Sequence, residues 1–295
     1  MRVFVTGATG FIGSAIVQDL IGAGHQVLGL ARSDDSAAAL ARLGVEAHRG
    51  DLADLDSLVA GARACEGVIH TAFIHDFSQF MANIETDRRA VEALACALEG
   101  SDKPLVIASG TMMVQHARPA TERDAPLSVE APRAASEAMV LAAADRGVRG
   151  SVVRLPPTVH GAGDHGFVPR LIEAAREHGV SPYVGDGANH WPAVHRLDAA
   201  RVFRRAVERA APGTRLHAVG EEGVPMRAIA EAIGAGLGVP VRSLTQDEAP
   251  AHFGFLAMFI ATDNPTSSAL TRSALGWSPE GPDLLTDLRE GGYFH

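Results

Sequence analysis

The sequence predicts an α/β fold, a doubly wound parallel sheet joined to a smaller C-terminal lobe, on three observations. From Arg2 to about Arg154, short and almost wholly apolar runs alternate with longer Ala- and Leu-rich stretches of helical period. The first run leads directly into closely spaced glycines and then an amphipathic stretch. After Arg154 the alternation gives way to loops rich in Gly, Pro and His.

In chain order, strands are predicted at Val3 to Thr6, Gln26 to Ala31, Val45 to Arg49, Val68 to Thr71, Leu105 to Ala108 and Ser151 to Arg154. Their apolar character on both faces is that of strands covered by helices on each side. Helices are predicted at Phe11 to Ala23, Asp35 to Leu43, Leu55 to Ala62, Met81 to Glu99 and Pro132 to Arg146. Beyond Pro156, Pro157, Gly161, Gly163 and Gly166, one further helix is expected from Val168 to His178. The expected division is a sheet domain over 1–155, to which 194–212 returns, and a lobe formed by 156–193 and 213–295.

Composition narrows the class of partner. The chain has 295 residues, with 26 Lys and Arg against 35 Asp and Glu, a formal charge of -9. That balance disfavours a nucleic-acid backbone and favours a small molecule. Cys65 and Cys96 fit no disulfide framework and no metal spacing, and no zinc-type His/Cys cluster occurs, so a reducing compartment and no metal are expected. Met1 runs straight into a β-type segment without the pattern of a signal peptide, from which a cytoplasmic location is expected. The apolar stretch Phe253 to Ala261 falls short of the roughly 18 to 20 residues that cross a bilayer, and reads as a buried or pocket-lining helix.

The glycines carry the most specific signal. Val3-Phe4-Val5-Thr6 is followed by Gly7-Ala8-Thr9-Gly10-Phe11-Ile12-Gly13 in the order strand, turn, helix. Gly7 permits the tight turn, Gly10 lets backbone approach a pyrophosphate, and Gly13 allows the helix to sit close to the strand with its N–H groups aimed at the anion. A Rossmann-type dinucleotide site is the expectation, with Thr6, Gly7, Thr9, Gly10, Phe11, Ile12 and Gly13 around the phosphates.

Thr6 to Gly13 resembles the nucleotide loop of the short-chain dehydrogenase/reductase superfamily, and its Phe-Ile pair points to the extended, epimerase/dehydratase-like branch. Gly50-Asp51-Leu52, His70-Thr71-Ala72, Ser109-Gly110-Thr111, Val194 to Asp198 and Leu275-Gly276-Trp277-Ser278-Pro279 match that branch in order. The resemblance implies that Asp51 and Leu52 meet the adenine. The residues alone leave Asp51 equally open as an N-cap for the Leu55 helix. It also implies that Thr71, Ala72 and Phe73 lie along the cofactor, and that Pro156, Pro157 and Thr158 stand beside the nicotinamide.

The second predicted strand ends Leu30-Ala31-Arg32-Ser33, with no carboxylate at its end. Arg32 offers a planar fork for a 2′-phosphate and Ser33 a hydroxyl, so NADP is favoured; the alternative is NAD, its ribose held by Asp34 or Asp35.

Members of the superfamily use a Tyr four residues before a Lys as proton donor. Here the corresponding positions are Val129 and Arg133. Arg133 can bond the nicotinamide ribose but cannot deliver a proton. Polarisation of the reacting oxygen falls to Ser109 or Thr111, between which Gly110 leaves the alignment open. Tyr183, His75, His160 and His190 are the candidate proton donors.

His75-Asp76 reads either as a loop over the cofactor or as a polar cap of the next helix. The loop bearing His190 and Trp191 faces the substrate by resemblance, and Trp191 reads equally as packing between lobes. His70 reads as a satisfied core histidine and His195 as a structural residue. The expected function is NADPH-preferring reduction of a carbonyl, or oxidation of an alcohol, on a small apolar substrate. The alternatives are a non-catalytic NADP-binding regulator and a nucleotide-sugar epimerase or dehydratase. The helices Met81 to Glu99 and Pro132 to Arg146 are the expected faces of a homodimer.

Overall fold

The computed structural model describes residues 1–74, 79–114, 118–128, 130–131 and 133–295. The chain opens with β1 (Arg2–Thr6), α1 (Phe11–Gly22), β2 (Gln26–Ala31), α2 (Asp34–Arg42), β3 (Glu46–Arg49) and α3 (Leu55–Arg63). There follow β4 (Gly67–His70), α4 (Phe80–Ala97), β5 (Pro104–Gly110), α5 (Ala134–Ala142) and β6 (Arg149–Leu155). The remainder comprises β7 (Thr158–His160), α6 (Phe167–His178), β8 (Ser181–Val184), β9 (His190–His195), α7 (Arg196–Arg209) and β10 (Thr214–His217). Last come β11 (Glu221–Pro225), α8 (Met226–Leu237), β12 (Val241–Leu244), α9 (Ala249–Phe253), α10 (Ala257–Ile260), α11 (Ala269–Leu275) and α12 (Leu284–Glu290).

Seven parallel strands form the main sheet in the order β10-β6-β5-β4-β1-β2-β3. Two apolar layers explain the doubly wound form. Val3, Val5, Val106 and Val153 face α1, α2 and α7 through Ile16, Leu20, Leu40 and Phe203. Phe4, Leu28, Leu105 and Ile107 face α3, α4 and α5 through Leu58, Leu94 and Val140. The strand order reverses between β1 and β4, so the crevice beyond their carboxyl ends, at Thr6 and His70, is where a ligand of such a sheet belongs.

The sheet domain extends past the expected boundary at 213, because β10 pairs with β6 as the seventh strand. Thr-Arg-Leu-His is weakly apolar, as an edge strand with one neighbour tolerates, and the pattern gave little sign of it. Leu275 and Trp277 also lie in the sheet-domain core, with the indole N–H donating to the Asp198 carbonyl at 3.1 Å. The expected helix from Pro132 to Arg146 is helical over α5 and continues as a 3-10 turn through Arg146.

The lobe holds the three-stranded sheet β11-β9-β7 and the pair β12-β8. Its core joins Val168, Leu171, Trp191, Ile229, Phe253 and Leu284. The expected helix over 253–261 is instead a series of short turns, broken where Gly254 adopts φ +54. Among the described residues, no helix is long and apolar enough to cross a membrane.

Candidate functional site

The turn between β1 and α1 is shaped by close approach. Gly7 has φ +71, and a Cβ there would stand 2.7 Å from the Ala72 nitrogen; a Cβ on Gly13 would collide with the Gly7 carbonyl oxygen. Gly10 caps α1 without a side chain, and the first turn contains no acidic residue. The first helical bond, Ser14 N–H to Gly10 O at 2.9 Å, leaves the N–H groups of Phe11, Ile12 and Gly13 unspent. Thr9 and Gly10 are exposed at the mouth. These features leave an exposed turn of unspent N–H groups whose sign suits an anion.

Arg32 stands exposed just beyond β2 and makes no ion pair among the described residues. Asp34, the nearest carboxylate in sequence, is paired with Arg49 at 2.9 Å. Ser33 caps α2, its hydroxyl accepting from the Ser36 N–H at 3.2 Å. The cap of α3 is Asp54, not Asp51. Asp51 uses one carboxylate oxygen to accept from Ala53 N–H at 2.9 Å, which leaves the other for a ligand, and Leu52 is buried beside it.

Across the crevice, Thr71 donates to the Thr6 carbonyl at 2.9 Å. Beneath this loop lies a buried polar chain. The Thr6 hydroxyl meets His70 Nδ1 at 2.8 Å, and His70 Nε2 meets Asp87 at 3.2 Å. Arg133 Nη2 and the Ser136 hydroxyl donate to the same carboxylate at 2.8 and 3.0 Å. Burial acts to raise the Asp87 pKa, but the Arg133 charge and the hydrogen bonds from His70 and Ser136 outweigh it and hold it at about 2. The Arg133 guanidinium also lies 4.9 Å from the centre of the Phe73 ring. Its backbone is left-handed at φ 65, a strain of about 1 to 2 kcal/mol for a residue with a Cβ.

The two candidates for oxygen polarisation differ. Thr111 is fully buried and donates to Asn264 Oδ1 at 2.8 Å, while Asn264 Nδ2 returns to the Thr111 carbonyl at 3.1 Å. Ser109 lies within β5 rather than after it, and its buried hydroxyl has no partner among the described residues. Thr158 spends its hydroxyl on the Pro192 carbonyl, and Pro156 is buried just before it.

The candidate proton donors are scattered. His160 is buried with Nδ1 2.7 Å from Asp287 and Nε2 without a partner among the described residues, and its ring meets that of His195 edge-on at 5.5 Å. His190 is half-exposed and bonded to Asp263 at 3.1 Å. Tyr183 belongs to the β12-β8 pair, with the Arg227 guanidinium 5.8 Å from its ring centre. Trp191 is fully buried in the lobe core, 5.7 Å from Phe167, so its ring is packing rather than a pocket wall. His75, Asp76 and Val129 lie outside the described residues.

The sequence reading missed Asp87, Asn264 and Arg196. For Asp87 a signal existed, because Asn83 and Asp87 sit on the same stripe of α4 as the buried Val91 and Leu94. A carboxylate on an apolar stripe needs a buried partner.

Residues 3–219 match the family described as NAD dependent epimerase/dehydratase. The chain belongs to that family. It is an enzyme of the NAD(P)-dependent oxidoreductase and epimerase kind. An uncharacterised protein of Schizosaccharomyces pombe is 50% identical over 295 residues, covering 100% of both chains. The 2-alkyl-3-oxoalkanoate reductase of Stenotrophomonas maltophilia is 30% identical over 259 residues, covering 81% of this chain and 77% of that one. The dTDP-glucose 4,6-dehydratase DesIV of Streptomyces venezuelae, solved as a double mutant with NAD and DAU bound, superposes with a TM-score of 0.78 at 21% identity over 100% of this chain and 97% of that one, a likeness of fold. The strand, glycine turn and helix at Gly7 to Gly13, where Gly10 caps α1 without a side-chain hydrogen bond, fit the epimerase/dehydratase family.

Proposed function

We propose that this member of the epimerase/dehydratase family is an NADPH-preferring oxidoreductase that reduces a carbonyl, or oxidises the corresponding alcohol, on a small apolar substrate. The observation that carries the cofactor preference is Arg32: an exposed guanidinium at the end of β2 with no ion-pair partner among the described residues. A bidentate bond from that fork to a 2′-phosphate gives the site a counter-ion. The cofactor, when bound, supplies the hydride.

This chain's residues orient and polarise. Ser109 holds a buried hydroxyl with no partner among the described residues near the carboxyl end of β5, from which it would donate to the reacting oxygen; Thr111 instead secures the Asn264 segment. Arg133, fixed by Asp87 and Phe73, takes the position beside the nicotinamide ribose. Of the proton-donor candidates, His160 has the best-prepared geometry, with Nδ1 fixed by Asp287 and a buried Nε2 that has no hydrogen-bond partner among the described residues. Phe167, Phe255 and Phe259 supply an aromatic surface in the lobe, suited to an apolar substrate. Two relatives named as reductases, the one from Stenotrophomonas maltophilia and the 3-diazoavenalumate denitrifying reductase of Streptomyces sp, support the reaction class. A cytoplasmic location and a homodimer through α4 and α5 accompany this reading, α5 exposing Ala135, Ala138 and Ala142 for close helix approach.

Calorimetric titration with NADPH and NADH, repeated on Arg32→Ala, tests it. The expected result is NADPH binding weakened about 10- to 100-fold with NADH unchanged. NADH binding that equals or exceeds that of NADPH in the wild type, with both unaffected by the substitution, overturns the preference and returns the ribose to Asp34 or Asp35. A ketone panel with NADPH then tests turnover.

A further inference from the structure

Arg196 begins α7, directly after β9, yet its side chain lies back over the amino end of α1. Its guanidinium carbon is 4.9 Å from the centre of the Phe11 ring, and Nη2 donates to the Ser14 hydroxyl at 3.2 Å. Nη1 donates to the Ala162 carbonyl. The loop after β7 is cut to fit it: Gly161 has φ +132, and a Cβ there would stand 2.9 Å from Arg196 Cγ.

None of these partners carries charge. Arg196 makes no ion pair among the described residues, and its buried Nε has no hydrogen-bond partner. On the same helix Arg201 is paired with Asp198 and Arg204 with Asp19 and Glu208, whereas Arg205, like Arg196, has carbonyl partners, those of Leu275 and Gly276, and no ion pair among the described residues; what sets Arg196 apart is its place over the amino end of α1. Burial pushes the Arg196 pKa down with no carboxylate opposing it. A partly buried guanidinium left in that state is costly unless an anion answers it. The adjacent amino end of α1 has the same need, since three N–H groups are unspent and neither a capping side chain nor an acidic first turn serves them.

We infer that Arg196 is a ligand of the cofactor's diphosphate, reaching from α7 to the amino end of α1 and acting on NADPH and NADH alike. The inference rests on the reading that the chain binds a dinucleotide. It assigns to α7 a role in that site alongside the backbone of β1-α1. Arg32 discriminates between the two cofactors, whereas Arg196 grips what they share.

The test is calorimetry on wild type, Arg196→Gln, Arg196→Lys and Ser14→Ala, with NADPH, NADH and ADP-ribose, at two ionic strengths. Arg196→Gln is expected to weaken all three ligands by the same factor, about 10- to 100-fold, and to make affinity less sensitive to salt. Arg196→Lys should lose less, keeping the charge but not the fork. Ser14→Ala, which removes only the structural contact, should bind as wild type.

Wild-type affinity and salt dependence in Arg196→Gln overturn the inference, as does a loss confined to NADPH. If thermal melting shows Arg196→Gln unfolded, Arg196→Lys decides: equal weakening of all three ligands supports the role and unchanged binding overturns it. Failure of the wild type to bind any of the three overturns the dinucleotide reading itself, an outcome separate from failure of the variant alone.

Discussion

The two ends of the crevice treat positive charge in opposite ways. At the end formed by β1, β2 and α1, Arg32 and Arg196 have no carboxylate partner among the described residues. At the end formed by β4, α4 and α5, Arg133 is held 2.8 Å from Asp87, which also accepts from His70 and Ser136. The difference teaches where an anion is to be received and where geometry alone is to be kept. A partly buried charge left open, as at Arg196, costs folding free energy until a ligand arrives, an exposed one such as Arg32 stays solvated, and charge closed internally gives rigidity and little net field.

The largest expected effect tests the closed end. Asp87→Ala strands Arg133 and His70 in the interior and should cost about 3 to 5 kcal/mol of stability in urea unfolding near pH 7. A loss below about 1 kcal/mol would show that the carboxylate does not close this network. The pH dependence follows from the sign of the shift. The folded pKa, about 2, lies below the ordinary 3.8, so the contribution is complete above the ordinary value and is lost as pH falls towards 2. The gap in stability between wild type and Asp87→Ala should therefore narrow with acid; a constant gap would break the assignment.

Ser109 and Thr111 sharpen the comparison at the same end. Thr111→Val leaves Asn264 Oδ1 without its donor and should cost about 1 to 3 kcal/mol in thermal unfolding. Ser109→Ala removes a hydroxyl with no partner among the described residues, so stability should hold while turnover of an accepted ketone falls roughly 100-fold. Reversal of that pattern would make Thr111 the polarising group.

The smallest expected effect lies at the open end. Ser33→Ala removes the α2 cap and should cost about 1 kcal/mol, with only a slight loss of NADPH affinity beside that of Arg32→Ala. A loss as large as that of Arg32→Ala would move the 2′-phosphate contact onto the hydroxyl.

Much of the open end was legible because its chemistry is local. The strand, the three glycines and the helix follow one another within Val3 to Gly22, and Arg32 marks the end of the next strand. The closed end is made across distance. Asp87 meets His70 17 residues back and Arg133 46 residues on. Arg196 reaches Ser14 across 182 residues. No local pattern encodes such a meeting, although a carboxylate on the apolar stripe of α4 announced that a partner had to exist.

By itself, the sequence determined the alternation of strands and helices, the glycine turn and the absence of a carboxylate at the end of β2, since periodicity and backbone sterics act over a few residues. Only the tertiary structure decided that Thr111 is spent on Asn264 while Ser109 is not, that Asp54 rather than Asp51 caps α3, and that Arg133 is neutralised while Arg196 is left open. The physical reason is that hydrogen bonds and ion pairs saturate. Which polar group remains available depends on what the whole chain brings against it, and in the case of Thr111 the deciding residue lies 153 positions away.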